Sequence, residues 1–183
     1  QVSKGGGDVP HIIFTGHLLP RKGVGELIDA LAGLKELNWR ATLAGSGEKQ
    51  RYQQQVEKQG LSDRVTFPGW LDDDGLNALY QQADILVLPS HIENQPLSVL
   101  EAMAHGLAII CTNVGTVNEI VDETTAIVIN NSQSAEALKN ALKTLLESPQ
   151  KRREIATLAR KRHEESFSLS LYLNYYIGIT FKL

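Results

Sequence analysis

Short apolar runs alternate along this chain with segments of helical periodicity, and that alternation limits the folds open to it. The apolar runs are His11–Gly16, Trp39–Gly45, Arg64–Gly69, Asp84–Ser90, Leu107–Thr112 and Ala126–Asn130. Several, above all "DILVLPS", are apolar at consecutive positions and so have no face for water. Such strands belong in a parallel sheet covered by helices on both sides. The helical segments fall between them, at Lys22–Leu37, Glu48–Gly60, Asp73–Ala83, Pro96–Gly106 and Val117–Val121, with two more at Ser134–Leu146 and Gln150–Glu165. Strict alternation with short loops predicts right-handed crossovers and an α/β, three-layer, doubly wound parallel sheet of about six strands, with extra helices at the C-terminal end.

The 183 residues suit one domain with its own core. We expect residues 1–10 to be a glycine-rich linker or chain edge, residues 11–165 the domain, and residues 166–183 a helical, apolar and aromatic tail. That tail packs either on this domain or on an absent neighbour. The formal net charge of -3 offers no basic excess for nucleic acid. One cysteine and five histidines form no zinc pattern. Cys111, closing the run "LAIIC", reads as a small buried thiol in a reducing cytosol. No apolar run is long enough to span a bilayer.

In open parallel sheets, ligands sit beyond the carboxyl ends of the strands, where the winding reverses. The residues following each strand are therefore the candidates. After the first strand, "GHLLPRKG" places Lys22 at the start of a helix, where a cation opposes the macrodipole. A bound anion such as phosphate would explain it, although taken singly Arg21 and Lys22 also read as solvated cations. After the second strand, "GSGE" lacks the third glycine of a dinucleotide fingerprint and reads as a turn. "LDDDG" reads as helix capping and not as a metal site. After the fourth strand, "PSHIENQPLSVLEAMAHG" puts Glu93 in a loop and Glu101 one to two turns into a helix that starts near Pro96. Carboxylates suit vicinal sugar hydroxyls, since each oxygen accepts from a neighbouring O–H. Taken singly, Glu101 also reads as an exposed helix residue, and Glu93 as a charge favoured by the helix dipole.

In order, the pieces are Gly16-His17 with Lys22-Gly23, Gly45-Ser46-Gly47, Val65 with Phe67-Pro68-Gly69, Ala83-Asp84 with Pro89-Ser90, Glu93 with Glu101-Ala102-Met103-Ala104-His105-Gly106, and Gly115 with Glu119. Together they resemble the C-terminal, donor-binding domain of GT-B glycosyltransferases, specifically family 4, the group 1 transferases. The resemblance covers about His11 to Glu165 and implies the Rossmann-like half of such an enzyme. It implies a retaining, metal-independent glycosyltransferase of hexosyltransferase type, acting on a UDP- or GDP-sugar with no cofactor and a glycan or lipid-linked acceptor.

The roles it implies are these. Lys22 binds the diphosphate, with Gly16, His17 and Arg21 nearby. Glu93 lies beside the transferred sugar, and Glu101 holds the ribose hydroxyls. Asn94, Gln95, Pro96, Leu97 and Ser98 meet the sugar and diphosphate at a helix N-terminus. Phe67, Pro68 and the residues up to Trp70 edge the base. Lys22 and Glu93 are the catalytic candidates. The acceptor would be held by an N-terminal domain absent from this chain, without which transfer is not expected. Membrane contact would come only through that half, and the full-length protein would be cytoplasmic or at the cytoplasmic face of the inner membrane.

Three departures stand out. His17 replaces the usual arginine, "ENQPLS" replaces E-G-F-G-L-P, and Thr116 replaces a second glycine. His17 raises the alternative of a catalytically degenerate nucleotide-sugar-binding module. A receiver-like or NAD-binding α/β domain is disfavoured by the motif order and by the lack of G-x-G-x-x-G.

Overall fold

The computed structural model describes residues 9–94, 96–130 and 133–167. Six parallel strands form one sheet: β1 (His11–Thr15), β2 (Arg40–Ala44), β3 (Val65–Gly69), β4 (Ile85–Leu88), β5 (Ala108–Thr112) and β6 (Ile127–Ile129). Their order is β3-β2-β1-β4-β5-β6, so the winding reverses between β1 and β4. The helices are α1 (Val24–Ala32), α2 (Lys49–Lys58), α3 (Asp73–Gln82), α4 (Leu97–His105), α5 (Val117–Ile120), α6 (Ala135–Glu147) and α7 (Pro149–Ser166). The expected doubly wound α/β sheet is thus present. Most of the expected 166–183 tail, and most of the expected 1–10 linker, lie outside the described residues.

The strands divide their side chains by the period of two. Ile12, Phe14, Leu43, Ile85, Val87 and Ile110 enter one core with α1, α2 and α6. Ile13, Leu86, Leu88, Ile109 and Cys111 enter the other with α3, α4, α5 and α7. Burying both faces explains the unbroken apolar runs of β4 and β5. Burial also pushes the Cys111 thiol up to about 12, so it stays protonated and unreactive.

Two helix boundaries differ from the sequence reading. The segment Lys22–Leu37 is not one helix. A 3-10 turn, Pro20–Lys22, comes first, and Gly23 breaks it with a left-handed φ of 69°. A Cβ at Gly23 would stand 2.0 Å from the Pro89 carbonyl oxygen, so only glycine lets this turn meet the β4 loop. At the other end α1 stops at Ala32. Residues 33–37 then curl through Leu34 N–H to Leu31 O (3.0 Å) and Leu37 N–H to Leu34 O (3.1 Å). This buries Leu34 and lets its carbonyl accept from Trp39 Nε1 at 2.7 Å. Elsewhere the expected punctuation holds. Asp72 caps α3 through Gly75 N–H at 2.9 Å, and Gly106 closes α4 with φ 64°.

His11, only 2% exposed, sits at the start of β1. Its Nε2 lies 2.8 Å from Thr42 Oγ1 and its Nδ1 3.3 Å from the Gln82 carbonyl. Burial, and then the nearby Arg40 charge, hold its pKa below the ordinary 6.5, although the Gln82 carbonyl and Asp84 pull the other way. The folded chain therefore resists a proton that the unfolded chain accepts. Stability is level above the unfolded pKa and falls as pH drops below about 6.5, by no more than about 1.4 kcal/mol per pH unit for one proton. Urea unfolding at pH 7.5 and 5.5 is expected to show a larger acid loss for the natural chain than for His11→Gln. Equal losses would remove His11 as the cause.

Candidate functional site

Four loops leave the carboxyl ends of β1, β2, β4 and β5, and they are bonded to one another. In the β1 loop, Gly16 N–H donates to Ala44 O at 3.0 Å and Leu18 N–H to Ser46 O at 2.7 Å, while Glu48 N–H returns to Leu18 O at 2.8 Å. This is what the Gly45-Ser46-Gly47 turn does: its backbone seats the β1 loop. In the β4 loop, His91 N–H donates to Arg21 O at 2.8 Å. His91 Nε2 approaches Glu26 Oε1 at 3.1 Å, but without hydrogen-bond alignment. Thr112, at the end of β5, donates its hydroxyl to the Ser90 carbonyl at 2.5 Å.

These anchors bring Lys22 and Glu93 together. Lys22 Nζ donates to Glu93 Oε2 at 2.6 Å, with 14% and 10% of the two side chains exposed. Ser90 Oγ adds a bond to the same oxygen at 3.3 Å, and Glu93 Oε1 accepts from Asn94 N–H at 3.2 Å. Lys22 is therefore not the solvated cation it reads as when taken singly, and Glu93 answers a cation and not the helix dipole alone. The pair is mostly sheltered, so removing either partner strands a charge, which is costly. The backbone of Glu93 is held as well. Gly115, with φ 56°, passes so close that a Cβ would lie 1.6 Å from Glu93 O, and Thr116 donates to Asn94 O at 2.5 Å.

Glu101 lies in the second turn of α4. Its Oε2 accepts from the Tyr80 hydroxyl at 2.8 Å. Thr15 Oγ1 stands 2.8 Å from the same hydroxyl, and with the phenol's one proton given to Glu101 it is left to donate. Burial first, and then the Glu101 charge, push the Tyr80 pKa far above its ordinary value of 10, so the phenol keeps its proton. The Tyr80 ring stacks on His105 at 5.2 Å between centroids, and His105 Nδ1 lies 2.8 Å from Glu101 O.

These groups line a cleft of about 610 Å³ over the β1/β4 reversal. Its walls include Gly16, His17, Lys22, Glu93, Pro96, Leu97, Ser98 and Glu101. Pro96 caps α4 from just outside, one position earlier than a first-turn proline. Arg21, Phe67, Pro68 and Asn94 are not among the cleft's walls. Arg21 is exposed within the 3-10 turn. Phe67 turns against the core beside α2, and Pro68 stands outward on the edge strand β3, where its missing N–H breaks no ladder. Trp70, 74% exposed, and Leu71 occupy that wall instead. Asn94 borders a neighbouring hollow with Thr116 and Glu119. Gln95 lies outside the described residues.

Sequence reasoning missed Thr15, Ser90 and Tyr80. Tyr80 carried a usable signal, since Leu76, Leu79, Tyr80 and Ala83 share helical spacing and mark the inward face of α3. Among the described residues no three His, Cys, Asp or Glu side chains converge as a metal site would require, and no helix is long and apolar enough to cross a membrane.

A doubly wound sheet with an acid-and-base-lined cleft at its reversal defines an α/β domain with charged groups gathered at its strand ends. Comparison with known proteins makes this specific. The family model described as glycosyl transferases group 1 matches residues 2–162. Glycogen synthase of Mycobacterium tuberculosis is 33% identical over 159 residues, covering 85% of this chain and 38% of that protein. The C-terminal domain of a group 1 glycosyl transferase, LpcC of Francisella tularensis, superposes with a TM-score of 0.79 at 26% identity, covering 88% of this chain and 89% of that one. Anabaena HepE, in complex with UDP and glucose, gives 0.80 at 26% identity, with 95% of this chain and 48% of that one covered. The chain belongs to the group 1 glycosyl transferase family and has the fold of the C-terminal domain of GT-B enzymes. It spans less than half the length of glycogen synthase or HepE.

Gly115→Ala tests the seating of the Glu93 loop. Strained φ alone costs about 1–3 kcal/mol, and the clash adds to it. The variant is expected to unfold at lower urea by at least that much. A midpoint equal to the parent's would mean that the two loops are not in contact.

Proposed function

We propose that this chain is the nucleotide-sugar-binding half of a retaining, metal-independent glycosyltransferase. The observation that carries this is the meeting of Lys22 and Glu93 in the cleft beside the start of α4. Transfer from a nucleoside diphosphate sugar builds negative charge on the departing diphosphate and positive charge on the sugar ring. The Lys22 ammonium and the first-turn amides of α4 at Leu97 and Ser98, which have no intrahelical acceptor, stabilise the first. The Glu93 carboxylate lies where it can stabilise the second. Because these groups supply the positive charge, the reaction needs no metal.

Glu101 holds the ribose hydroxyls. Trp70 and Leu71, in place of Phe67 and Pro68, edge the base. Support for a nucleotide sugar comes from HepE, whose structure contains UDP and glucose. The sugar passes to a glycan or lipid-linked acceptor, a hexosyl transfer, with the acceptor bound by an N-terminal domain. Without that domain the reactants are not brought together, so this chain alone binds donor and does not transfer it. The protein acts in the cytoplasm, and membrane contact belongs to the acceptor half.

Calorimetry with UDP, GDP and their sugars is expected to show binding of one series to this chain. Lys22→Ala and Glu101→Ala should each weaken it about tenfold or more, the scale of a lost charge-assisted hydrogen bond. Absence of binding, or unchanged affinity in both variants, would overturn the reading. His17, exposed on the cleft wall, keeps the degenerate-module reading testable. A large gain of activity on His17→Arg in the full-length enzyme would favour it.

A further inference from the structure

Tyr80 is buried to 1% exposure behind the cleft, and its hydroxyl bonds to residues that line it. Its hydroxyl is bonded to residues from three elements. Thr15, at the end of β1, lies at 2.8 Å, Glu101 Oε2 on α4 at 2.8 Å, and the Ser98 carbonyl at the start of α4 at 3.3 Å. The ring is fixed as well, stacked on His105, whose Nε2 lies 2.9 Å from Asn77 Oδ1 and whose Nδ1 faces the Glu101 carbonyl. A phenol donates one proton. With Thr15 donating to it, that proton goes to Glu101, the strongest acceptor in reach. One carboxylate oxygen is then committed, and Glu101 Oε1 has no protein partner among the described residues.

Burial alone does not require such a network. Tyr52 is equally buried, at 1%, and its hydroxyl has no hydrogen-bond partner among the described residues.

We propose that Tyr80 is a positioning residue for ribose recognition: its hydroxyl, set by Thr15, holds Glu101 Oε2 so that the carboxylate plane presents Oε1 to the ribose of the nucleotide. This rests on the donor-binding reading above and adds the residue that aims Glu101. Tyr80 touches no substrate atom, and its effect passes through Glu101. An unaimed glutamate must give up rotamer freedom on each binding event, and an aimed one has already done so.

The test is calorimetry on this chain with UDP and GDP, and with the 2′,3′-dideoxy form of whichever binds. Tyr80→Phe keeps the ring and its stacking. It is expected to weaken the ribonucleotide about tenfold and leave the dideoxynucleotide unchanged. Thr15→Val should shift affinity the same way by a smaller factor. Tyr52→Phe, the same chemical change at a site away from the cleft, should alter neither. Equal weakening of both nucleotides by Tyr80→Phe would mean a merely structural role and overturn the proposal. So would unchanged ribonucleotide affinity in Tyr80→Phe when Glu101→Ala loses it. Should Tyr80→Phe fail to fold, unchanged affinity in Thr15→Val overturns it. No binding of either nucleotide, or no effect of Glu101→Ala, overturns the donor reading itself and the proposal with it.

Discussion

A lysine and a glutamate 71 residues apart share a 2.6 Å bond where the sheet reverses its winding, and the reading of the cleft depends on that contact. Neither side chain is exposed enough to be left to water. The pair exists only because the β1 and β4 loops are brought into register by backbone contacts that tolerate no side chain. Gly23 lets the 3-10 turn slide under Pro89, and Gly115 lets the β5 loop slide under Glu93. The charges are thus placed by packing rather than by their mutual attraction. Attraction between two desolvated ions rarely repays their dehydration unless the geometry is already set.

The layers behind the cleft supply that rigidity. Both faces of β4 and β5 are buried, so the strand ends that launch the functional loops are among the least mobile parts of the chain. Glu93 comes from a loop and Glu101 from α4, which packs on the same strand through Val99, Ala102 and Met103. The two carboxylates therefore sit on one scaffold but in different surroundings. Glu93 faces a cation, and Glu101 faces a neutral phenol. On the donor-binding proposal this division matches the ligand, with charge at the diphosphate and hydroxyls at the ribose.

Much of the architecture was legible in the sequence because two-sided burial leaves a signature that short strands cannot hide. Ile85–Leu88 and Ala108–Thr112 had no polar face to give water. Less visible was whatever depended on contacts between distant segments. The break at Gly23 was hidden because its cause is Pro89, a residue of another loop. The early end of α1 was hidden because Trp39 captures the carbonyl that a longer helix would have used. Lys22 stood out as a cation in an unfavourable local position, and its compensating partner proved to be Glu93. Phe67 was assigned to the base by motif position, yet on an edge strand alternate residues face opposite ways, and its side chain joins the core. Tyr80 was passed over because aromatic residues on an inward helix face are usually packing alone.

The central claim is that Glu93 and a bound diphosphate draw on the same lysine. The most direct measurement is the affinity of the Glu93→Gln chain for the bare nucleoside diphosphate, without its sugar. Glutamine keeps the size of glutamate and removes its charge, leaving Lys22 sheltered and without its anion. The account predicts severalfold tighter binding of the bare diphosphate than in the natural chain, because the phosphate then supplies the missing negative charge. Equal or weaker binding would contradict it, and would mean that Lys22 is committed to Glu93 and does not meet the diphosphate.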